Sequence, residues 1–251
     1  MLAFFRRIRK SLVTNNSAKK YFLYAIGEII LVVIGILIAI NLNNNNQNKV
    51  AKNERDNKIN KLRQVVYADS LNLMFTIDYN KRNIAVIDSL IENLNPEMSI
   101  NEYSVYANQF TRANMKYRTS IPDLTVYNEL INSGEFSKIE DKDLKDKITN
   151  YYVLYNHFND LINKFIDALF VTEKRLFYDG VLSHKYFSFD TSESNIINGY
   201  KEFCATIKDS INRRVFENHL YELKDMHNQI IYFYTVVVDD MKGIPLQPKK
   251  Q

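Results

Sequence analysis

Hydrophobic positions fall into two regimes along this chain. From Tyr21 to Leu42 the sequence YFLYAIGEIILVVIGILIAINL is apolar on every side of a helix and holds one charge, Glu28. About 20 residues at ~1.5 Å each cross a hydrocarbon layer of ~30 Å, so the run predicts a membrane-spanning helix. A core helix is apolar along one stripe only. The run is too long for the apolar part of a cleaved signal peptide, and no small-x-small site comes after it. The next residues are the polar Asn43-Asn44-Asn45-Asn46-Gln47-Asn48, so the reading is a retained signal anchor.

Beyond the anchor the spacing is that of amphipathic helices. Ile59, Leu62, Val66 and Leu73, then Ile77, Ile84, Ile87, Ile91 and Leu94, recur near every 3.5 residues, with Val65, Leu71, Met74, Phe75, Val86 and Leu90 widening the stripe. A stripe that wide suits a globular bundle. This first helix spans about residues 49–94, ends before Pro96, and continues the anchor as a stalk across the Asn run. Further helices are expected over about 100–115, from Pro122 to Ser133-Gly134, over 142–178 closed by Asp179-Gly180, over 196–207, and over 210–242 before Gly243. Residues 181–194 form the longest irregular stretch, where VLSHKYFSF is compatible with a brief extended piece. The fold class is all-α: one N-terminal transmembrane helix continuing into a bundle of long helices. The organisation is a tail over 1–20, the anchor over 21–42, a polar stalk over 43–58, the helical domain over 59–243 and a C-terminal tail over 244–251.

Charge sets the orientation once it is divided along the chain. Residues 1–20 carry Arg6, Arg7, Arg9, Lys10, Lys19 and Lys20 and no acid, whereas from Asn41 onward 27 bases meet 28 acids. Bases are retained on the cytoplasmic side, so the N-terminus is expected inside and the helical domain outside. The six bases are the expected contact with the anionic inner leaflet, and Leu2, Phe5, Ile8 and Leu12 give the tail an apolar face for lying on it. Thr14-Asn15-Asn16-Ser17 can cap the anchor. A nucleic-acid-binding domain would carry its basic excess in the folded part, so that class is set aside.

Within the anchor, Glu28, Gly35 and Ala39 are seven and four residues apart and share one helix face. An ionised side chain at membrane depth is costly unless it snorkels or pairs, and Gly35-x-x-x-Ala39 permits close approach of a second helix. This face is the candidate site of association, with a second copy or another membrane protein. The run from Phe4 to Asn46, FFRRIRKSLV and then SAKKYFLYAIGEIILVVIGILIAINLNN, resembles the opening of a family of bacterial inner-membrane proteins of unknown function. That family's marks are an YAIGEI-type start, a VVIGILIA-type core and an Asn-Asn-Trp-Asn exit; here Asn45 stands in place of the Trp. The resemblance implies a single-pass bacterial inner-membrane protein with a periplasmic domain, and it carries no catalytic residues.

Candidate chemistry is sparse. His157 with Asp160 and His219 with Glu222 each share a helix face, and two such helices could frame a metal. The carboxylate-bridged di-iron pattern is Glu-x-x-His, the reverse order, and no His-Glu-x-x-His occurs, so no metal site is assigned. Six glycines, two of them inside the anchor, leave no clustered phosphate cradle. Nucleophile elbow, Walker loop and dinucleotide fingerprint are missing too. The lone Cys204 reads as a small buried side chain. Tyr and Phe total 32 with no Trp; at helical spacing they read as core, with the rings of Tyr151-Tyr152-Tyr155 and Tyr232-Phe233-Tyr234 partly buried and their hydroxyls reaching water or a partner. No cofactor is expected and no enzyme is indicated. The leading expectation is a membrane-anchored envelope scaffold or interaction protein that oligomerises through its anchor or bundle. The alternatives are an extracytoplasmic ligand-sensing bundle signalling through a partner membrane protein, an oligomeric membrane effector, and an enzyme with an unrecognised site.

Overall fold

The structure, a computed structural model, describes residues 18–114, 117–183, 186 and 193–244. It is all-α: among the described residues there are six α-helices, one 3-10 turn and no strand. These are α1 (Ala18–Glu92), α2 (Ile100–Asn114), α3 (Thr125–Asn132), the 3-10 turn Phe136–Lys138, α4 (Lys142–Tyr178), α5 (Glu193–Lys208) and α6 (Ser210–Met241). The N-terminal tail with Arg6, Arg7, Arg9 and Lys10, the Thr14–Ser17 cap, His184, most of the VLSHKYFSF stretch and the C-terminal tail lie outside the described residues. The chain divides into two compact units, residues 1–59 and residues 60–251.

The described residues of the first unit are the N-terminal part of α1. It is long and apolar enough to cross a membrane: an 18-residue window reaches a mean hydropathy of 2.7 with none of it buried. From Ile26 to Glu54 every side chain is exposed. The Asn run is helical as well, although asparagine costs several tenths of a kcal/mol per residue relative to alanine. No Gly or Pro interrupts it, and helix elongation is easy once turns on either side have formed.

The second unit is a bundle with an aromatic core. Ile87 and Leu90 of α1, Tyr103, Tyr106 and Phe110 of α2, Phe203 and Ile207 of α5, and Phe216, Leu220 and Leu223 of α6 form one buried cluster. Phe203 sits at its centre, with ring centroids 5.4–5.7 Å from Tyr103, Tyr106, Tyr186 and Phe216. Offset rings at such distances add about 0.5–1.5 kcal/mol per pair beyond area burial. Helices α4 and α6 run antiparallel: Asn150 bonds Asp240, Phe158 stacks on Phe233 at 4.8 Å, and Glu173 faces His219.

Local chemistry fixes the helix ends. At α2, Ser99 and Glu102 form a reciprocal capping box, the carboxylate accepting from Ser99 N–H at 2.6 Å and the hydroxyl from Glu102 N–H at 3.3 Å. Gly180, at φ 75°, closes α4 in a Schellman turn: Val181 N–H reaches Leu176 O at 3.0 Å and Gly180 N–H reaches Phe177 O at 3.3 Å. Val181 and Leu176 both enter the core cluster, which is the apolar contact such turns favour. Asp209 caps α6, accepting from Ile211 and Asn212 N–H at 2.9 Å each. Asp209→Ala is expected to cost about 1 kcal/mol, read as a lower melting temperature of a few degrees in circular dichroism.

Three expectations need correction. Helix α3 begins at Thr125, not Pro122, because the Asp123 carboxylate takes Thr125 N–H at 2.9 Å and holds an Asx turn ahead of the helix. Leu71, Met74 and Phe75 do not widen the core stripe; they are exposed, on the opposite side of α1 from Leu62, Val66, Leu73 and Asn80. Cys204 is half-buried, packed against the edge of the core cluster.

Candidate functional site

Along the bundle part of α1 run Asp69, Asn72, Thr76 and Asn80, spaced three and four apart and therefore on one face. Asp69, Thr76 and Asn80 are buried, Asn80 completely. They face residues 117–124, which belong to no helix or sheet. Buried backbone groups must find partners, and here side chains supply them. Asn80 Nδ2 donates to Arg118 O at 2.9 Å and to Thr76 O at 2.8 Å. Asn72 Nδ2 donates to Ser120 Oγ at 2.7 Å. Tyr234 Oη accepts from Ser120 N–H at 3.0 Å. Asp69 accepts from Asp123 N–H at 3.3 Å, and Tyr152 Oη donates to Asp123 O at 3.1 Å.

Of the tyrosines expected to be partly buried, Tyr232 is exposed and the other four are buried. Tyr151, Tyr152, Tyr155 and Tyr234 are buried, and their rings form a ladder with centroids 4.6 to 6.0 Å apart. Tyr151 Oη donates to Asp69 Oδ2 at 2.8 Å. Burial pushes the Asp69 carboxyl above its ordinary range, and the bonds from Tyr151 and Asp123 oppose that rise in part. Burial first, then Asp69, pushes the Tyr151 phenol up, so Tyr151 stays a donor.

Two histidines of α6 lie in this interior. Because both Asn80 donors are committed to carbonyls, its Oδ1 is what faces His227 Nδ1 at 2.6 Å. The imidazole must then carry its proton on Nδ1. Burial lowers its pKa to about 4, with the Ala113 backbone working the other way. His219 is likewise buried, with neither ring nitrogen hydrogen-bonded. Its Nε2 stands 3.9 Å from Glu173 and its Nδ1 3.9 Å from Glu222, and burial lowers its pKa to about 4. Both rings are neutral at pH 7.

The residues singled out by the sequence are dispersed. Glu28, Gly35 and Ala39 are exposed on the apolar part of α1, and a Cβ added at Gly35 would meet nothing within 4 Å. Lys19 and Lys20 lie in the first turn of that helix. His157 and Asp160 are exposed on α4, sixteen and thirteen residues, or roughly 24 and 20 Å at about 1.5 Å per residue, from Glu173 at the level of His219. The two His–acid pairs are not brought together. Among the described residues no group of three or more metal-ligating side chains converges.

Sequence reading missed two features. The first is the side-chain bonding of residues 117–124, whose only signal is the row of polar residues on a core face of α1. The second is an outer apolar face of α1, formed by Tyr67, Leu71, Met74 and Phe75 at 48–55% exposure, with the Arg118 guanidinium 4.5 Å above the Phe75 ring. Its signal is present, since positions 67, 71, 74 and 75 keep a helical spacing of their own, half a turn from the core positions.

The features together define an all-helical protein with one helix suited to crossing a membrane and a bundle whose buried polar groups do structural work. The family of unknown function DUF6090 matches residues 28–198, most of the chain, and this chain belongs to it. No curated protein and no solved structure matches it.

Proposed function

We propose that this chain is a non-enzymatic, membrane-anchored interaction protein of the bacterial inner membrane, with its N-terminus cytoplasmic and its bundle periplasmic, and that it self-associates. The basic residues at 6–20 would contact the anionic inner leaflet and keep that end inside. The observation that carries the proposal is the outer face of α1. Four large apolar side chains on three successive turns stand half exposed, opposite the core face of the same helix. Scattered exposed apolar residues need no explanation; a contiguous stripe marks a contact surface.

A second copy suits this stripe. Copies anchored in one membrane in the same orientation present it in parallel, so each side chain meets its own counterpart. At ~200 Å² for each large side chain, half exposed, the stripe buries roughly 400 Å² per copy, about half of the ~800 Å² per partner typical of a stable interface. The bundle face alone is then a weak contact. Confinement to the membrane and close packing at Glu28, Gly35 and Ala39 would contribute the rest.

The test is the stoichiometry of the full chain in mild detergent, by size-exclusion chromatography with light scattering. A dimer or larger oligomer is expected. Leu71→Glu combined with Met74→Glu should weaken it at least tenfold, leaving the helical signal intact. Gly35→Leu should weaken it separately, because the space around Gly35 within one chain admits the larger side chain. A wild-type chain that runs as a monomer at micromolar concentration sinks the proposal.

A further inference from the structure

The outer stripe of α1 continues toward the N-terminus as a seven-residue repeat. Counting back in sevens from Met74 and Tyr67 lands on positions 60, 53, 46 and 39. Counting back from Leu71 lands on 64, 57, 50, 43 and 36. Interleaved, the two series keep the alternating three- and four-residue steps of the a and d positions of a coiled coil, the Leu71 series at a and the Met74 series at d. All of these positions lie on the one helix Ala18–Glu92. Every one is exposed except Asn60, which is half-buried. The bundle uses the other side of the helix: Ile59, Leu62, Val66 and Leu73, which it buries, fall at the c and f positions of the same repeat.

Charge supplies an independent observation. In a parallel pair of helices the g position of one chain meets the e position five residues further on in the other. Here those pairs are Lys49 with Glu54 and Asp56 with Lys61, opposite in charge both times. Lys49, Glu54 and Lys61 are exposed and Asp56 is half-buried. Residues five apart on one helix are not neighbours, so neither pair forms within a chain. A slip of one heptad sets Lys49 against Lys61 on one side of the pair and Asp56 against Glu54 on the other, which repels twice. The seam itself is polar between anchor and bundle, with Asn at 43, 46, 53, 57 and 60 around Val50. Asparagine at such a position weakens a coiled coil but fixes its register and strand number. Asn45, off the seam, instead donates to Asn41 Oδ1 of its own chain at 3.5 Å.

We propose that residues 43–61 of α1 wind around the same residues of a second copy as a parallel, in-register, two-stranded coiled coil, with Lys49 and Asp56 of each copy paired to Glu54 and Lys61 of the other. The pairing rests on the self-association proposed above and adds to it a surface, an orientation and a register. The polar seam sets the alignment, and the apolar stretches before and after it supply the attraction. A straight helix drifts about 20° per heptad against such a repeat, so the two copies wind left-handed. A different membrane protein would need the same asparagine spacing and the reciprocal charges, which a second copy has by identity. Lys61 also neighbours the Asp123 carboxylate of its own chain, so Lys49 with Glu54 is the cleaner pair to test.

The experiment is cysteine crosslinking of the full chain, in membranes and in mild detergent, in a Cys204→Ser background. Asn46→Cys and Asn53→Cys lie on the seam, and Asn45→Cys and Asn48→Cys make the same change at c and f positions. Under mild oxidation the seam variants are expected to give an adduct of twice the chain mass, at least five times more of it than the other two. Lys49→Glu should weaken the dimer at least fivefold by light scattering, and adding Glu54→Lys should restore it to within twofold, with the helical signal unchanged throughout. A wild-type monomer removes both the coiled coil and the self-association beneath it. A dimer that crosslinks equally at all four positions, or in which Glu54→Lys fails to rescue Lys49→Glu, removes the coiled coil and leaves self-association standing. A mass above two chains overturns the two-stranded form, and a seam adduct in membranes of any mass other than twice the chain overturns the second copy as occupant.

Discussion

Lowering the pH from 7 to 4 is expected to remove on the order of 6 kcal/mol of folding stability, about 3 kcal/mol from each of His219 and His227. Both rings are buried and both have pKa values near 4 in the fold, against an ordinary 6.5. Between those values the unfolded chain binds a proton that the folded one refuses. The stability that the neutral rings confer is complete above pH 6.5 and drains away as the pH falls toward 4. Asp69 works in the opposite direction, since its raised carboxyl takes up a proton more readily folded than unfolded and gains stability on acidification. Its share is smaller because the bonds from Tyr151 and Asp123 already hold the ionised form. Melting curves by circular dichroism at pH 7 and pH 4.5 check this, with the double variant His219→Phe, His227→Gln flattening the dependence. A wild-type melting temperature unchanged down to pH 5 contradicts it.

Asn80→Ala is expected to cost about 3–5 kcal/mol, or roughly 10 °C or more in melting temperature for a bundle of this size. The substitution strands the buried His227 Nδ1–H at about 1–3 kcal/mol, leaves the part-buried Arg118 carbonyl without its donor at a smaller cost, and opens a small cavity. Urea denaturation for the free energy and thermal melts by circular dichroism for the melting temperature, on wild type and variant, measure it. A drop below 2 °C would mean that water reaches these groups and that the interior is not as dry as the burial of Asn80 implies.

How much of this was legible in the sequence depends on the range of the interaction. Helix α4 has the bounds Lys142–Tyr178 that its periodicity and the Asp179-Gly180 stop indicate, because Asp141 and Gly180 act within a turn of the ends they close. The all-α class and the apolar N-terminal helix were likewise legible, being properties of composition over a short window. What was not legible joins distant residues. Asp69 to Tyr151 spans 82 positions and Asn80 to His227 spans 147, and no local pattern announces either. The start of α3 shifted for both kinds of reason: Pro122 is a good first helical residue, but the local Asx turn of Asp123 onto Thr125 N–H and the distant Asp69, which takes Asp123 N–H, hold the chain outside the helix there. The outer face of α1 is a different failure. Leu71, Met74 and Phe75 look like core by type, and only the position of the other helices decides which of two opposed faces is covered.

The 147-residue reach from Asn80 to His227 carries a consequence for chain growth. Ribosomes add about 5–20 residues per second, so on the order of ten seconds separate the emergence of these two residues. Throughout that interval the row Asp69–Thr76–Asn80 has no imidazole and no complete Tyr151 ladder to close over it. The bundle must therefore assemble late, once its final helix is made, and the nascent chain exposes a half-polar, half-greasy surface to whatever escorts it to its destination.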